Sequence, residues 1–450
     1  MSVIRQEPQP VPRENKTVLK PVHPSFKEAL RFWFRLGFIS FGGTTGHLAI
    51  MHAELVEKRR WISESRFLHA LNYCMLLPGP EATQLAIYIG WLLHGTWGGI
   101  VAGTLFVLPA AILLWLLSFI YVTYGAVAAI AAMFYGLKAS VIAIVAFTAV
   151  NLGRKALKNV FSWMLAAGAF AALFVFKISF PIVIATAGLI GLIGGRLDLN
   201  VCSTPKTPSG EKEISVISDE FHSIARPTLA RAVKLCSVWL PLWWGPVFLL
   251  GIWKGWNSIF FQEGVFFGSA AVVTVGGSYA VLPYVAQRAV EHYGWLTRIQ
   301  MLDGLGLAET TPGPLIIVLQ FAGFLGGWNH PGDLPPLLSA TICAAITTWT
   351  TFVPCFFWIF IGAPYIELMR GHATLNSALC AITAAVVGVI LNLAVWFAVS
   401  VIFPDSGGMD WFIASASIIG FLGMIRFKWD VIPVVAAGAA LGLVRYFIFT

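Results

Sequence analysis

Charge is the first thing this chain is short of. Asp, Glu, Lys and Arg make up only 11% of its 450 residues, against about 25% in a soluble domain. A soluble chain so poor in charge would expose large apolar patches and aggregate. Paired cysteine motifs are also missing. Cys74, Cys202, Cys236, Cys343, Cys355 and Cys380 form no CxxC, so they read as small buried hydrophobes rather than redox or metal groups. His47, His52, His69 and His94 have no carboxylate cluster at ligand spacing, and no metal is expected. Without a Walker A motif, a nucleotide fingerprint or CxxCH, neither ATP hydrolysis nor haem is expected, and no cofactor is assigned. Residues 1–24 form a polar tail with no apolar h-region, so no cleavable secretory signal is expected.

What the chain does have is apolar surface. Hydrophobic residues make up 58%, and the mean hydropathy is +0.80. In lipid every backbone polar group must be satisfied internally, which selects helices. The 43 Gly and 24 Pro would damage soluble helices but are tolerated in membrane ones. The net charge of +8 comes from Lys and Arg in the tail and between apolar segments. That is the distribution of cytoplasmic loops, not of a nucleic-acid surface. Spans are predicted at 97–122, 124–150, 160–176, 178–195, 236–253, 259–283, 336–362, 373–403, 410–425 and 430–449. Shorter stretches rich in Gly and Pro at 36–52, 67–77, 81–95, 299–311 and 314–328 read as half-helices or re-entrant segments. The fold class is therefore an all-α polytopic membrane protein of roughly 10–13 spans or half-helices.

Residues 196–234 are polar and mixed in charge, which predicts a solvent-exposed cytoplasmic linker. They separate a first membrane repeat, 25–195, from a second, 235–450. A shift of 234 residues lays Gly42-Gly43 on Gly276-Gly277, Val56-Glu57 on Val290-Glu291, Trp61 on Trp295, and Pro78-Gly79-Pro80 on Pro312-Gly313-Pro314. Over 40–80 there are eleven identities in 41, concentrated in Gly, Trp and Pro. A shift of 245 then aligns Pro109 with Pro354 and Ala139 with Ala384. Two unrelated greasy segments would not keep such spacing, so the chain is an internal duplication. Lys58, Arg59, Arg60 and Arg66 of the first half outnumber Arg288, His292 and Arg298 of the matching loop. That contrast favours inverted repeats, which bind substrate at their interface near the midplane.

Both Pro-Gly-Pro motifs read as helix starts inside the membrane. Pro78, Gly79, Pro80, Pro312, Gly313 and Pro314 would present amide groups to an anion; a plain turn is the rival reading. Gly42-Gly43-Thr44 and Gly276-Gly277-Ser278 permit broken helices whose backbone and hydroxyls can hold an oxyanion, with helix packing equally served by small residues. Lys138 is flanked by long apolar sequence and reads as a substrate counter-charge, with a Lys snorkelling from near a segment end as the rival reading. Glu81 and Glu309, which flank the helix starts, are candidates for proton coupling or for pairing with Lys138 or Arg35. Lys58, Arg59 and Arg60 form either an access funnel for anions or an interfacial anchor closed by Trp61.

Phe38-Ile39-Ser40-Phe41-Gly42-Gly43, Trp61-Ile62, Leu76-Leu77-Pro78-Gly79-Pro80 with Gln84, Val275-Gly276-Gly277, Trp295-Leu296 and Glu309-Thr310-Thr311-Pro312-Gly313-Pro314 together resemble the chromate transporter family in its long, two-halved form. The resemblance implies secondary transport of chromate, usually efflux across the bacterial inner membrane giving resistance. It adds Thr310 and Thr311 to the candidate substrate contacts. It also implies sulfate, a tetrahedral dianion of similar shape, as ligand or competitor. Expected partners are thus chromate, sulfate, membrane lipid and a second copy of the chain as a homodimer, with no nucleic acid. A sulfate or other oxyanion carrier is the alternative. An enzyme acting on anionic lipid headgroups is disfavoured for want of an acid/base or metal constellation.

Overall fold

The computed structural model describes residues 23–41, 43–75, 77–197, 216–217, 228–275, 277–363, 373–404 and 407–449. Among them there is no strand, only an isolated bridge between Ile62 and Ile217. The first half runs α1 (Phe26–Ile39), α2 (Gly43–His52), a π-helical turn (Ala53–Lys58), α3 (Glu64–Cys74), α4 (Glu81–Tyr124), α5 (Ala128–Ala156), α6 (Val160–Phe174) and α7 (Phe180–Arg196). After α8 (Leu229–Lys254) the order recurs: α9 (Ile259–Val273), α10 (Ser278–Gln287), a π-helical turn (Arg288–His292) and α11 (Arg298–Thr310). A 3-10 turn (Leu315–Ile317) leads into α12 (Val318–Asn329), followed by α13 (Pro336–Gly362), α14 (Ala373–Ile402), α15 (Trp411–Phe427) and α16 (Val431–Phe449). Six of these helices are long and apolar enough to cross a membrane, and five shorter apolar helices accompany them. This is a multi-pass membrane protein.

Helix starts are set by side chains that satisfy first-turn amides. Ser25, Ser63, Asn159, Ser258 and Asp410 each accept from an amide three residues on. Thr297 and Gln300 form a reciprocal capping box on α11. One sequence boundary stands and one needed correction. Segments 81–95 and 97–122 are separate helical pieces of α4: His94 (φ −136°, ψ 27°) and Gly95 (φ 63°, ψ −156°) are not helical, and the chain turns back there so that Gly90 packs against Gly98 and Ala102. By contrast, 259–283 is not one span. The chain leaves the helix after Val273 and restarts at Ser278, with Gly277 at φ 104°.

The duplication reaches down to single hydrogen bonds. Trp61 donates its amide to Leu55 O at 2.8 Å, and Trp295 to Ala289 O at 2.9 Å, across the two π-helical turns. The residue before each tryptophan has a positive φ, Arg60 at 53° and Gly294 at 66°, and both indoles are buried. Packing is reciprocal as well. Helix α5 lies against α14, α15 and α16 of the other half, while its counterpart α14 lies against α5, α6 and α7. Likewise α1 packs on α4 and α9 on α13. Swapped contacts of this kind are the mark of a two-fold relation. Gly136 of α5 meets Gly438 and Gly442 of α16, where a Cβ would strike backbone, so these helices approach closely.

Within the linker expected to be solvent-exposed, Val216 and Ile217 are an exception. Their amides donate to Arg60 O and Trp61 O at 3.0 and 3.1 Å, Ser63 returns a bond to Ile217 O, and the Ile217 side chain is buried. A β-branched apolar residue next to the Trp61 pocket gains more from burial than from water.

Candidate functional site

Each Pro-Gly-Pro loop plugs into the opposite half. Gly79 donates its amide to Thr274 O at 2.7 Å, and Gly313 donates to Ser40 O at 2.7 Å. Thr274 and Ser40 are the residues at which α9 and α1 end, and their hydroxyls bond back to Ala270 O and Leu36 O, each at 2.7 Å. Gly79 and Gly313 sit at φ 124° and 102°, a region that costs other residues roughly 1–3 kcal/mol. Gln84 steadies the first loop by donating to Pro78 O at 2.7 Å. Pro80 and Pro314 then start α4 and the 3-10 turn, as expected of rings that fix φ and lack a donor. The two glycine amides expected to meet an anion are thus committed to protein carbonyls.

Carboxylates gather where the breaks meet. Glu81 opens α4, is buried, and one of its oxygens has no hydrogen-bond partner. A Cβ on Gly277 would lie 2.9 Å from its Oε1, so Gly277 is what lets the α9–α10 break approach this acid. Glu309 is buried and accepts from the Tyr279 hydroxyl at 2.6 Å. That hydroxyl in turn lies 3.3 Å from where a Cβ of Gly43 would be. Ser278 is buried beside them. Thr310 and Thr311 donate to Leu307 O and Ala308 O at 2.7 and 2.8 Å, closing the last turn of α11. Gly42, Gly276 and the Thr44 side chain lie outside the described residues. A pair of buried acids suits protons better than a dianion, since like charges repel strongly where water is scarce.

Lys138 lies elsewhere. Half-buried on α5, it lines a cavity of about 290 Å³ with Tyr121, Phe134, Gln300, Asp303 and Asn329. Helices α4 and α5 come from one half and α11 and α12 from the other, so the cavity lies between the repeats. Its charge partner is neither Glu81, Glu309 nor Arg35 but Asp303, which is buried and accepts from the Tyr121 hydroxyl at 2.9 Å. The sequence reading missed Asp303. Its signal was available: an acid in the apolar stretch Met301-Leu302-Asp303-Gly304 is costly without a role.

The basic loop is largely neutralised. Lys58 donates to Glu54 at 2.6 Å, and Arg59 lies 3.6 Å from Glu28 and 3.7 Å from Glu54. The hydrogen bond from Lys58 holds the Glu54 carboxyl below its usual range, with the Arg59 and Arg35 charges adding to it. The Arg59 guanidinium also stacks 4.8 Å over Phe32 and 5.0 Å over Trp61. Arg35 is exposed on α1 and Arg60 is exposed in the loop.

Comparison with known proteins agrees with the two-halved reading. The family model described as chromate transporter matches residues 27–192 and 261–443. A chromate transport protein of Cupriavidus metallidurans is 27% identical over 94% of this chain and 94% of its own length. A probable chromate transport protein of Synechococcus elongatus is 29% identical over 83% of this chain and 85% of its own. The uncharacterized transporter YwrB of Bacillus subtilis is 35% identical over 143 residues, which are 71% of its length and 32% of this chain. That relative is therefore less than half as long. No solved structure matches. Two matched halves covering most of the sequence settle the classification: this chain is a transport protein and belongs to the chromate transporter family.

Proposed function

We propose that this protein is a secondary transporter that carries chromate out of the bacterial cytoplasm across the inner membrane and so gives resistance. The observation behind this is Lys138, a cation in a polar cavity bounded by helices of both repeats. Carriers built from repeats hold substrate at such an interface and expose it alternately to the two sides. In this reading the repeats are inverted, and rocking of one against the other opens the Lys138 cavity. Gly43, Gly277, Gly79 and Gly313 supply the broken helices about which the halves move. Glu81 and Glu309 serve as proton-carrying or charge-balancing acids, and the small residues and hydroxyls around them complete the path. Sulfate shares the tetrahedral shape and charge and acts as a competitor.

The membrane potential alone favours outward movement, by about 2.3 kcal/mol per charge per 100 mV. The test is chromate flux in proteoliposomes, with potential and pH gradients imposed separately and sulfate added in competition. Chromate accumulation on the side made positive is expected. No flux under either gradient would sink the proposal.

A further inference from the structure

Asp303 has features that a structural acid does not need. One carboxylate oxygen, Oδ2, is held by the Tyr121 hydroxyl at 2.9 Å. The other, Oδ1, is buried with no hydrogen-bond partner, in a residue only 4% exposed that lines the Lys138 cavity. Lys138 acts on it through space without reaching ion-pair distance, leaving room between the two charges. The pair is not repeated in the other half. Under the shifts of 234 and 245, Asp303 and Lys138 fall on His69 and Thr383, so neither charge has a like counterpart in the other half. No other charged group among the described residues competes for them. Helix α12 presents Trp328 and Asn329, α14 carries no charge, and Arg445 of α16 is engaged with Tyr135 and Asp410.

We propose that Asp303 is a built-in rival of the transported anion: charged, it balances Lys138 in the unloaded cavity, and it must take a proton on Oδ1 before a dianion can bind. This rests on reading the Lys138 cavity as the oxyanion site. The chemistry closes simply. A proton from water forms the Oδ1–H bond as the anion enters, and returns to water when the anion leaves. While bound, Oδ1–H donates to an anion oxygen instead of repelling it. One negative charge therefore crosses per chromate, not two.

The experiment is chromate binding to the purified full-length protein from mildly acidic to alkaline pH, for wild type, Asp303→Asn and Tyr121→Phe. The protonation of chromate itself is common to all three and cancels in their ratios. Wild-type affinity should fall by up to about tenfold per pH unit on the alkaline side, because one proton enters with each anion. Asp303→Asn should lose that part of the slope and bind more tightly at the alkaline end. Tyr121→Phe removes the hydroxyl that steadies the charged carboxylate, so its curve should move to higher pH. Asp303→Asn with the wild-type slope, or with no chromate binding, would overturn the proposal. If Asp303→Asn cannot be recovered folded, an unmoved Tyr121→Phe curve overturns it. Failure of the wild type to bind chromate at any pH removes the transport reading and this inference with it. Wild-type binding with identical slopes in the variants removes the inference alone.

Discussion

At the scale of single residues, side chains that hold the fold separate from those available for chemistry. Gly79 belongs to the first group. A Cβ there would sit 3.0 Å from Gln84 Nε2 and 3.1 Å from Cys355 Sγ, on a backbone at φ 124°. At Gly313 the Cβ would lie 2.6 Å from that of Ala110, at φ 102°. Gly79→Ala and Gly313→Ala should each destabilise the protein by about 1–3 kcal/mol, read as a lower unfolding temperature in detergent. Lys138 belongs to the second group, being half-buried and outside any direct ion pair among the described residues. Lys138→Gln should keep the unfolding temperature within a few degrees yet cut chromate flux about tenfold or more, since a desolvated counter-charge contributes at least ~1.4 kcal/mol. Normal flux in that variant would move the anion site elsewhere. Lys138 was legible in the sequence because a lone cation in apolar surroundings is conspicuous. Its relation to Asp303 was not, because α11, far along the chain, must pack on α4 and α5 before Asp303 meets Tyr121 and Lys138.

At the scale of elements, glycine marked the breaks of helices more faithfully than proline did. Pro109 and Pro354 lie inside α4 and α13 without ending them, whereas the reversal within α4 falls at His94–Gly95, between the two segments read from the sequence. The His94 ring takes a hydrogen bond with Pro24 O at 3.0 Å, tying the reversal to the start of α1. The loop after α2 carries a pH signature. Because Lys58 holds the Glu54 carboxyl down, this contact stabilises the folded state above the usual carboxylate range. The contribution is lost only as pH falls through the lowered value of the folded protein. Neutral-to-alkaline titration should leave the loop unchanged, while strong acid loosens it. Glu54→Gln should cost about 1 kcal/mol or less and remove that acid-dependent step from the stability profile. An unchanged step in the variant would assign it to another acid.

At the scale of the whole molecule, the duplication was readable because Gly, Trp and Pro each answer to a backbone demand that aliphatic residues do not. The interlocking of the halves was hidden, since Val, Leu, Ile and Ala faces are interchangeable as partners. The structure places Val216 and Ile217 with the first half and α8 with α9 and α13 of the second. A cut between Glu220 and Phe221 therefore severs no described contact. The two fragments, made together, should co-purify and transport chromate at near the intact rate. Either fragment made alone should be scarce in membranes, by quantitative immunoblot. Two stable, independent fragments would mean that the halves do not need each other.

The crossed bonds Gly79–Thr274 and Gly313–Ser40 also set a timetable for biosynthesis. Ser40 enters the bilayer long before the ribosome has made Gly313, and until then the carbonyl at the end of α1 lacks the Gly313 amide in a medium that supplies no substitute. The first repeat must wait as an unfinished membrane domain through the whole making of the linker, α8 and α9. The Gly79 bond can form once α9 has been made, but the Gly313 bond only after α11, and that second bond joins the halves from both sides.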